Sequence, residues 1–125
     1  MPDNKSALTK GKIGEQISCD YLTEKGYKII TRNYFSRYGE IDIIAAKDNI
    51  LSFIEVKTRN NNSIATPGSF VTYSKQQKII KTALIFLNEN DFKTFQPCFD
   101  VIEIIISKHN NSLKFINHIT NAFYT

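Results

Sequence analysis

Charged residues stand in two runs that otherwise read as buried strand, among them Asp42 in GEIDIIAAK, and Glu55 and Lys57 in ILSFIEVKTR. Two carboxylates and a lysine are groups suited to phosphodiester hydrolysis. Paired carboxylates can hold Mg²⁺, which keeps several waters and takes substrate phosphate oxygens beside its protein ligands. Such an ion lowers the pKa of a bound water and stabilises charge building on the phosphate. A lysine on the same side could orient that water or neutralise the charge. A carboxylate-x-lysine alone is common and nonspecific. Its weight here comes from the hairpin in which it is set.

Side chains two apart on a strand share a face. Glu40, Asp42 and Ile44 therefore point one way, and Phe53, Glu55 and Lys57 share a face of their own. A turn centred on Asp48-Asn49 sets Lys47 against Ile50. Continued along the ladder, that register puts Asp42 opposite Glu55, and Glu40 opposite Lys57 as its ion-pair neighbour. Directly opposed like charges, with Cβ atoms about 5 Å apart, are destabilising. Two readings follow: a divalent cation lies between Asp42 and Glu55, or the register slips and the charges sit on a solvated edge. Glu15 adds a third carboxylate, set among apolar residues of a first helix. It either reaches out to water or Lys12, or points into a polar site as a further metal ligand.

The elements that must position these groups can be read in order. Ser6 or Thr9 caps a helix that runs to about Lys25, with Gly26 as its stop. It carries one stripe of Ile13, Ile17 and Tyr21 and a second, nearly opposite, of Leu8, Cys19 and Leu22, so burial on two sides is expected. Residues 27–34 read as a strand, 35–38 as a connection containing Arg37, and 40–46 and 50–58 as the hairpin. Arg59 opens a loop to Gly68 that leaves the strand carrying Glu55 and Lys57 and could border their site. Ser74 and Gln77 have capping-box spacing for a second helix to about Asn88, with an apolar line of Ile79, Ile80, Ala83, Leu84 and Leu87. Lys75, Gln76, Gln77, Lys78 and Lys81 crowd its first two turns, as a solvated face or as groups favouring an anion. Cys98 to Ile106 suits a buried strand, residues 109–112 a turn, and 113–116 a short strand before a tail in which Ala122, Phe123 and Tyr124 could pack down. The fold expected is α/β (an α+β mixed sheet): helix, three-strand meander, helix, then one or two strands.

At 125 residues the chain suits one domain, 1–125, with residues 1–9 a flexible N-terminus. A charge of +4 and a pI near 9.1 permit nucleic-acid binding and are equally explained by solubility. Cys19 and Cys98 suggest no disulfide framework and suit small buried hydrophobes. The N-terminus has no apolar signal core and no run approaches a membrane span, so a cytoplasmic location is expected. His109 and His118 have no partner at metal-ligand spacing, and a structural or solvated role suits each. There is no GxSxG, Walker loop or GxGxxG.

Several motifs recur in a fixed order: Gly11-Lys-x-Gly-Glu15, Arg32-Asn33, GEID from Gly39, FIEVKTR from Phe53, Lys75-Gln76, Phe99-Asp-Val-Ile, His118-Ile, and Asn121-Ala-Phe123. Together they resemble the YraN-like family of small bacterial proteins over nearly the whole chain. That resemblance implies a restriction-endonuclease-like fold, close to archaeal Holliday-junction resolvases, with a PD-(D/E)xK centre. On it, Asp42 matches the motif aspartate, Glu55 and Lys57 the E-x-K, and Glu15 the acidic residue of the first helix. Gln76, or else Gln77, matches a polar residue on the following helix. Ile41 stands where the proline of the motif would be. The implied activity is a Mg²⁺-dependent endodeoxyribonuclease, with Mn²⁺ able to substitute, acting on branched or damaged DNA. Arg37, Arg59, Lys75, Gln76 and Gln77 would meet the nucleic acid, and a two-fold-symmetric junction would call for a homodimer. The rival expectations are a non-catalytic nucleic-acid- or partner-binding module that keeps the fold, and carboxylates that form only a structural ion-pair network.

Overall fold

A computed structural model describes residues 9–60 and 71–124. The expected flexible N-terminus (apart from Thr9), the Ser6 cap and most of the loop after Arg59 lie outside the described residues. Helix α1 spans Lys10–Glu24. Thr9 caps it, extended at φ −69° and ψ 157°, with its hydroxyl accepting from the Lys12 N–H at 3.2 Å. Gly26, at φ +97°, ends it, and the Tyr27 N–H turns back to the Leu22 carbonyl at 2.9 Å. Only one face of α1 is buried: Gly14, Glu15, Ser18, Cys19 and Leu22. The expected burial on two sides is corrected, since Ile13, Ile17 and Tyr21 only flank that face, half-covered.

The strands are β1 (Lys28–Ser36), β2 (Gly39–Lys47), β3 (Ile50–Arg59), β4 (Gln96–Ile106) and β5 (Leu113–Phe123), with helix α2 (Tyr73–Glu89) between β3 and β4. They form a five-stranded sheet in chain order, with β3 parallel to β4 and the other neighbours antiparallel. The result is the expected mixed sheet with helices against it, compatible with a restriction-endonuclease-like fold. Alternating strand residues feed two cores. Ile43, Ile54, Ile102 and Ile104 meet Cys19 and Leu22 of α1, while Ile44, Phe53, Phe99 and Val101 meet Ile79, Ile80, Ala83 and Phe86 of α2. Each helix thus covers one face of the sheet.

Three local readings are corrected. The cap of α2 is Thr72, whose hydroxyl accepts from the Lys75 N–H at 3.2 Å, so Ser74 lies inside the helix. Leu84 is exposed at 54%, and Phe86 takes the core position, with Tyr34, Phe53 and Phe92 around its ring. The last strand continues through the supposed tail to Phe123, whose ring stacks on Phe99 at 5.2 Å between centroids. Its polar residues hid it from a hydrophobic pattern. They are satisfied from β4: Asn117 donates to Glu103 Oε1 at 3.3 Å, and His118 Nε2 meets Asp100 Oδ2 at 2.9 Å. Among the described residues, no helix is long and apolar enough to cross a membrane.

Candidate functional site

The β2–β3 hairpin has the register expected from its turn, from Lys47↔Ile50 to Ile43↔Ile54. There the recorded ladder stops, while β3 stays paired with β4 as far as Arg59↔Ile105. Beyond that point the Val56 N–H donates to Asp42 Oδ2 at 2.8 Å. A side-chain carboxylate thus serves as acceptor on the β2 side of β3. Asp42 sits at the mouth of the split between two strands.

Glu15 reaches this mouth because α1 lies close on β3. A Cβ on Gly14 would collide with Thr58 Oγ1 and stand 2.9 Å from Thr58 Cβ, so only glycine allows the approach. From β1, Asn33 adopts φ +53° and donates to Glu15 Oε1 at 3.2 Å. Lys12 Nζ and Arg32 Nη2 stand 3.7 and 3.9 Å from the same oxygen. Glu15 thus meets Lys12, as one reading had it, and is at the same time buried, with an oxygen turned toward Glu40 and Asp42. One carboxylate oxygen each from Glu15, Glu40 and Asp42 lies within 4.8 Å of the other two.

Glu40 is the residue that sequence reasoning misplaced. The opposition of Asp42 to Glu55 and that of Glu40 to Lys57 both assumed a ladder that has ended by then. Asp42 and Glu55 still lie close enough for their charges to interact, whereas Glu40 joins Glu15 and Asp42.

Glu55 is buried and close enough to Asp42 for their charges to interact, but its Oε2 is bound to Lys75 Nζ at 2.6 Å. Burial, followed by the Glu55 charge, pushes the Asp42 carboxyl up from its ordinary 3.8 to about 7, against the Val56 hydrogen bond that favours ionisation. Glu15 and Glu40 add to the rise. Burial pushes the Lys57 ammonium down; Glu55 opposes this, and Lys75 and Arg59 reinforce it. Burial acts the same way on Lys75, but the hydrogen bond to Glu55 and the Glu55, Asp42 and Glu40 charges outweigh it and hold that ammonium up.

The remaining site residues surround this centre. Gln76 Nε2 donates to the Val71 carbonyl at 3.0 Å and so fastens the start of α2, with Gln77 half-buried beside it. Arg59 is half-buried at the end of β3. Arg37 is exposed in the β1–β2 turn, its Nη2 donating to the Tyr38 hydroxyl at 3.0 Å.

The donor set suits a hard cation. Three carboxylates offer oxygen only, the preference of Mg²⁺ or Mn²⁺ rather than of a thiophilic metal. Burial first, then the Glu55 charge, and more weakly Glu15 and Glu40 disfavour the ionised Asp42, a cost that a divalent cation would relieve.

Comparison with known proteins places the chain. Residues 14–104 match the Uncharacterised protein family UPF0102. A UPF0102 protein of Caldanaerobacter subterraneus subsp. tengcongensis is 44% identical over 115 residues, 92% of this chain and 94% of its own. UPF0102 proteins of Natranaerobius thermophilus and Clostridium tetani are 47% identical over 124 residues and 43% over 113, covering 97% and 90% of this chain and 99% and 92% of theirs. The chain belongs to the UPF0102 family, which is the YraN-like family its motifs resembled.

Proposed function

We propose that this protein is a metal-dependent nuclease that hydrolyses phosphodiester bonds in DNA, with branched or damaged DNA as its substrate class. The observation that carries this reading is the meeting of Glu15, Glu40 and Asp42 at the split end of a sheet, beside Glu55 and Lys57. Glu15, Glu40 and Asp42 would hold Mg²⁺ or Mn²⁺, with Glu55 joining once Lys75 releases it. The ion, when bound, supplies an acidified water and charge neutralisation on the phosphate. Lys57, close to Glu55 and disfavoured as an ammonium by burial, would orient the attacking water through Nζ or share its proton. Lys75 would exchange its carboxylate partner for a phosphate oxygen as DNA enters.

The test is incubation with branched, duplex and single-stranded DNA in Mg²⁺ or Mn²⁺. Cleavage that Asp42→Asn and Glu55→Gln both abolish is expected, and cleavage surviving in those variants would put the site elsewhere. A second reading draws on the 2.6 Å Lys75–Glu55 ion pair, which occupies a would-be ligand from within: a binding module that has kept the fold without the reaction. That reading predicts no cleavage of any substrate and no thermal stabilisation by Mg²⁺ or Mn²⁺, whereas a metal site gains stability by mass action.

A further inference from the structure

Three cations, Arg37, Lys78 and Lys81, lie about Tyr38 and Gly39, next in the chain to Glu40. The Arg37 guanidinium lies 5.0 Å from the centroid of the Tyr38 ring, and Lys81 Nζ lies 5.2 Å from the same centroid. The two charges are therefore separated by no more than the sum of those distances. Lys78 stands alongside, its Cβ 3.8 Å from where a side chain on Gly39 would begin. Of the other cations near the site, Lys12 and Arg32 meet Glu15 and Lys75 meets Glu55, while Lys57 and Arg59 stand at the carboxylates without an ion pair to any described residue. Among the described residues, Arg37, Lys78 and Lys81 have no carboxylate at ion-pair distance. The Tyr38 hydroxyl registers the local field, since the Arg37 hydrogen bond, then the Arg37 charge, and more weakly Lys81 favour its ionised form. Like charges held on one ring with no counter-charge are arranged for an anion from outside the chain. A guanidinium fork is the side-chain group best matched to phosphate oxygens.

Position gives the anion its identity. Tyr38 precedes Glu40 by two residues, so the patch begins within about 7 Å of chain from the carboxylate cluster. We propose that Arg37 and Lys81, spaced by Tyr38 and supported by Lys78, form a seat for a non-scissile backbone phosphate of the nucleic acid. The proposal rests on the nuclease reading and adds the point at which the strand is held next to the cut.

The experiment measures fluorescence anisotropy of a labelled DNA duplex over a series of salt concentrations in EDTA. It compares the unsubstituted protein, the pair Arg37→Gln/Lys81→Gln, and a control pair at the opposite end of the sheet, Lys28→Gln/Lys93→Gln. Thermal melts check that each is folded. The seat predicts weaker binding of every duplex sequence, with the slope of log affinity against log salt shallower by about 2 in the first pair. The control pair should change it far less. Cleavage in Mn²⁺ should suffer in KM more than in kcat. Equal slopes in the folded Arg37→Gln/Lys81→Gln protein and the unsubstituted one would overturn the seat and leave the nuclease reading standing. Seat-dependent binding with no cleavage would do the reverse, and an unsubstituted protein that binds neither the duplex nor a labelled branched DNA overturns the seat.

Discussion

Replacing Asp42 by Asn should stabilise the metal-free protein above neutral pH. A carboxyl moved from 3.8 to about 7 has its ionised form disfavoured by roughly 4 kcal/mol. The sign follows from proton counting. Between those two values the folded chain holds a proton that the unfolded chain has released, so stability falls as pH rises through the window and levels off above about 7. Asn cannot ionise, and its Oδ1 can still accept the Val56 N–H that Asp42 now takes at 2.8 Å. Asp42→Asn should therefore match the unsubstituted protein near pH 4 and exceed it by roughly 2–4 kcal/mol near pH 8. Asp42→Ala relieves the same charge but leaves that N–H without its acceptor, so it should gain about 1 kcal/mol less. The assay is urea denaturation in EDTA across this range, read as free energy at constant m-value. Saturating Mg²⁺ should then stabilise the unsubstituted protein near pH 8, by about 2.7 kcal/mol at a hundredfold excess over Kd, and should do far less for Asp42→Asn. A stability difference between the two proteins that stays constant from acid to alkaline pH would refute the reasoning, because it would mean that Asp42 ionises in the fold as it does in water.

Three further predictions concern the surroundings of that carboxylate. Glu40→Gln should weaken Mn²⁺ binding at least tenfold by calorimetry, about 1.4 kcal/mol; unchanged affinity there, with a loss in Glu55→Gln, would return the third ligand position to Glu55. Gly14→Ala should lower stability by roughly 1–3 kcal/mol through its collision with Thr58, and adding Thr58→Ala should recover part of the loss; a neutral Gly14→Ala would show that α1 does not need its close approach to β3. His118→Ala should lower the urea midpoint by an amount equivalent to roughly 3 kcal/mol, with or without metal, because it strands the buried Asp100 carboxylate with the Asn121 N–H at 3.1 Å; a loss that appears only with metal would instead tie His118 to the site.

What could be read from the sequence follows from which interactions are local. The cap at Thr9, the stop at Gly26 and the Asp48-Asn49 turn depend on neighbours in the chain, and each stands where the sequence put it. The Lys12 contact of Glu15 was legible because it is three residues away on one helix, whereas its approach to Asp42 depends on how α1 docks on the sheet. His118 had no legible partner because Asp100 and Tyr21 approach from a neighbouring strand and a helix, at 2.9 and 3.2 Å. The true start of α2 at Thr72 was hidden by a better-looking capping box two residues on, and the position of Phe86 by the rival apolar Leu84.

The error over Glu40 has a more specific cause, and it lies in the site itself. A register argument extends a ladder for as long as backbone groups can pair. The hairpin register recorded between β2 and β3 runs to Ile43↔Ile54 and no further, and next to that point Asp42 accepts the Val56 N–H with its side chain. The residue that carries the charge thus sits where the pairing ends. On the other side of β2, the left-handed Asn33 sends its amide to Glu15, while the positive φ of Gly39 lets the strand enter from a tight turn. No periodic rule contains these events, because each is a polar side chain or an unusual backbone angle displacing a regular one. Sequence patterns built on regular pairing therefore become unreliable where a sheet opens, and here that opening is the place where Glu15, Glu40 and Asp42 meet. The failure of the Glu40–Lys57 pairing therefore marks the same place as the cluster: the ladder ends where the Asp42 side chain, rather than a backbone carbonyl, takes the Val56 N–H.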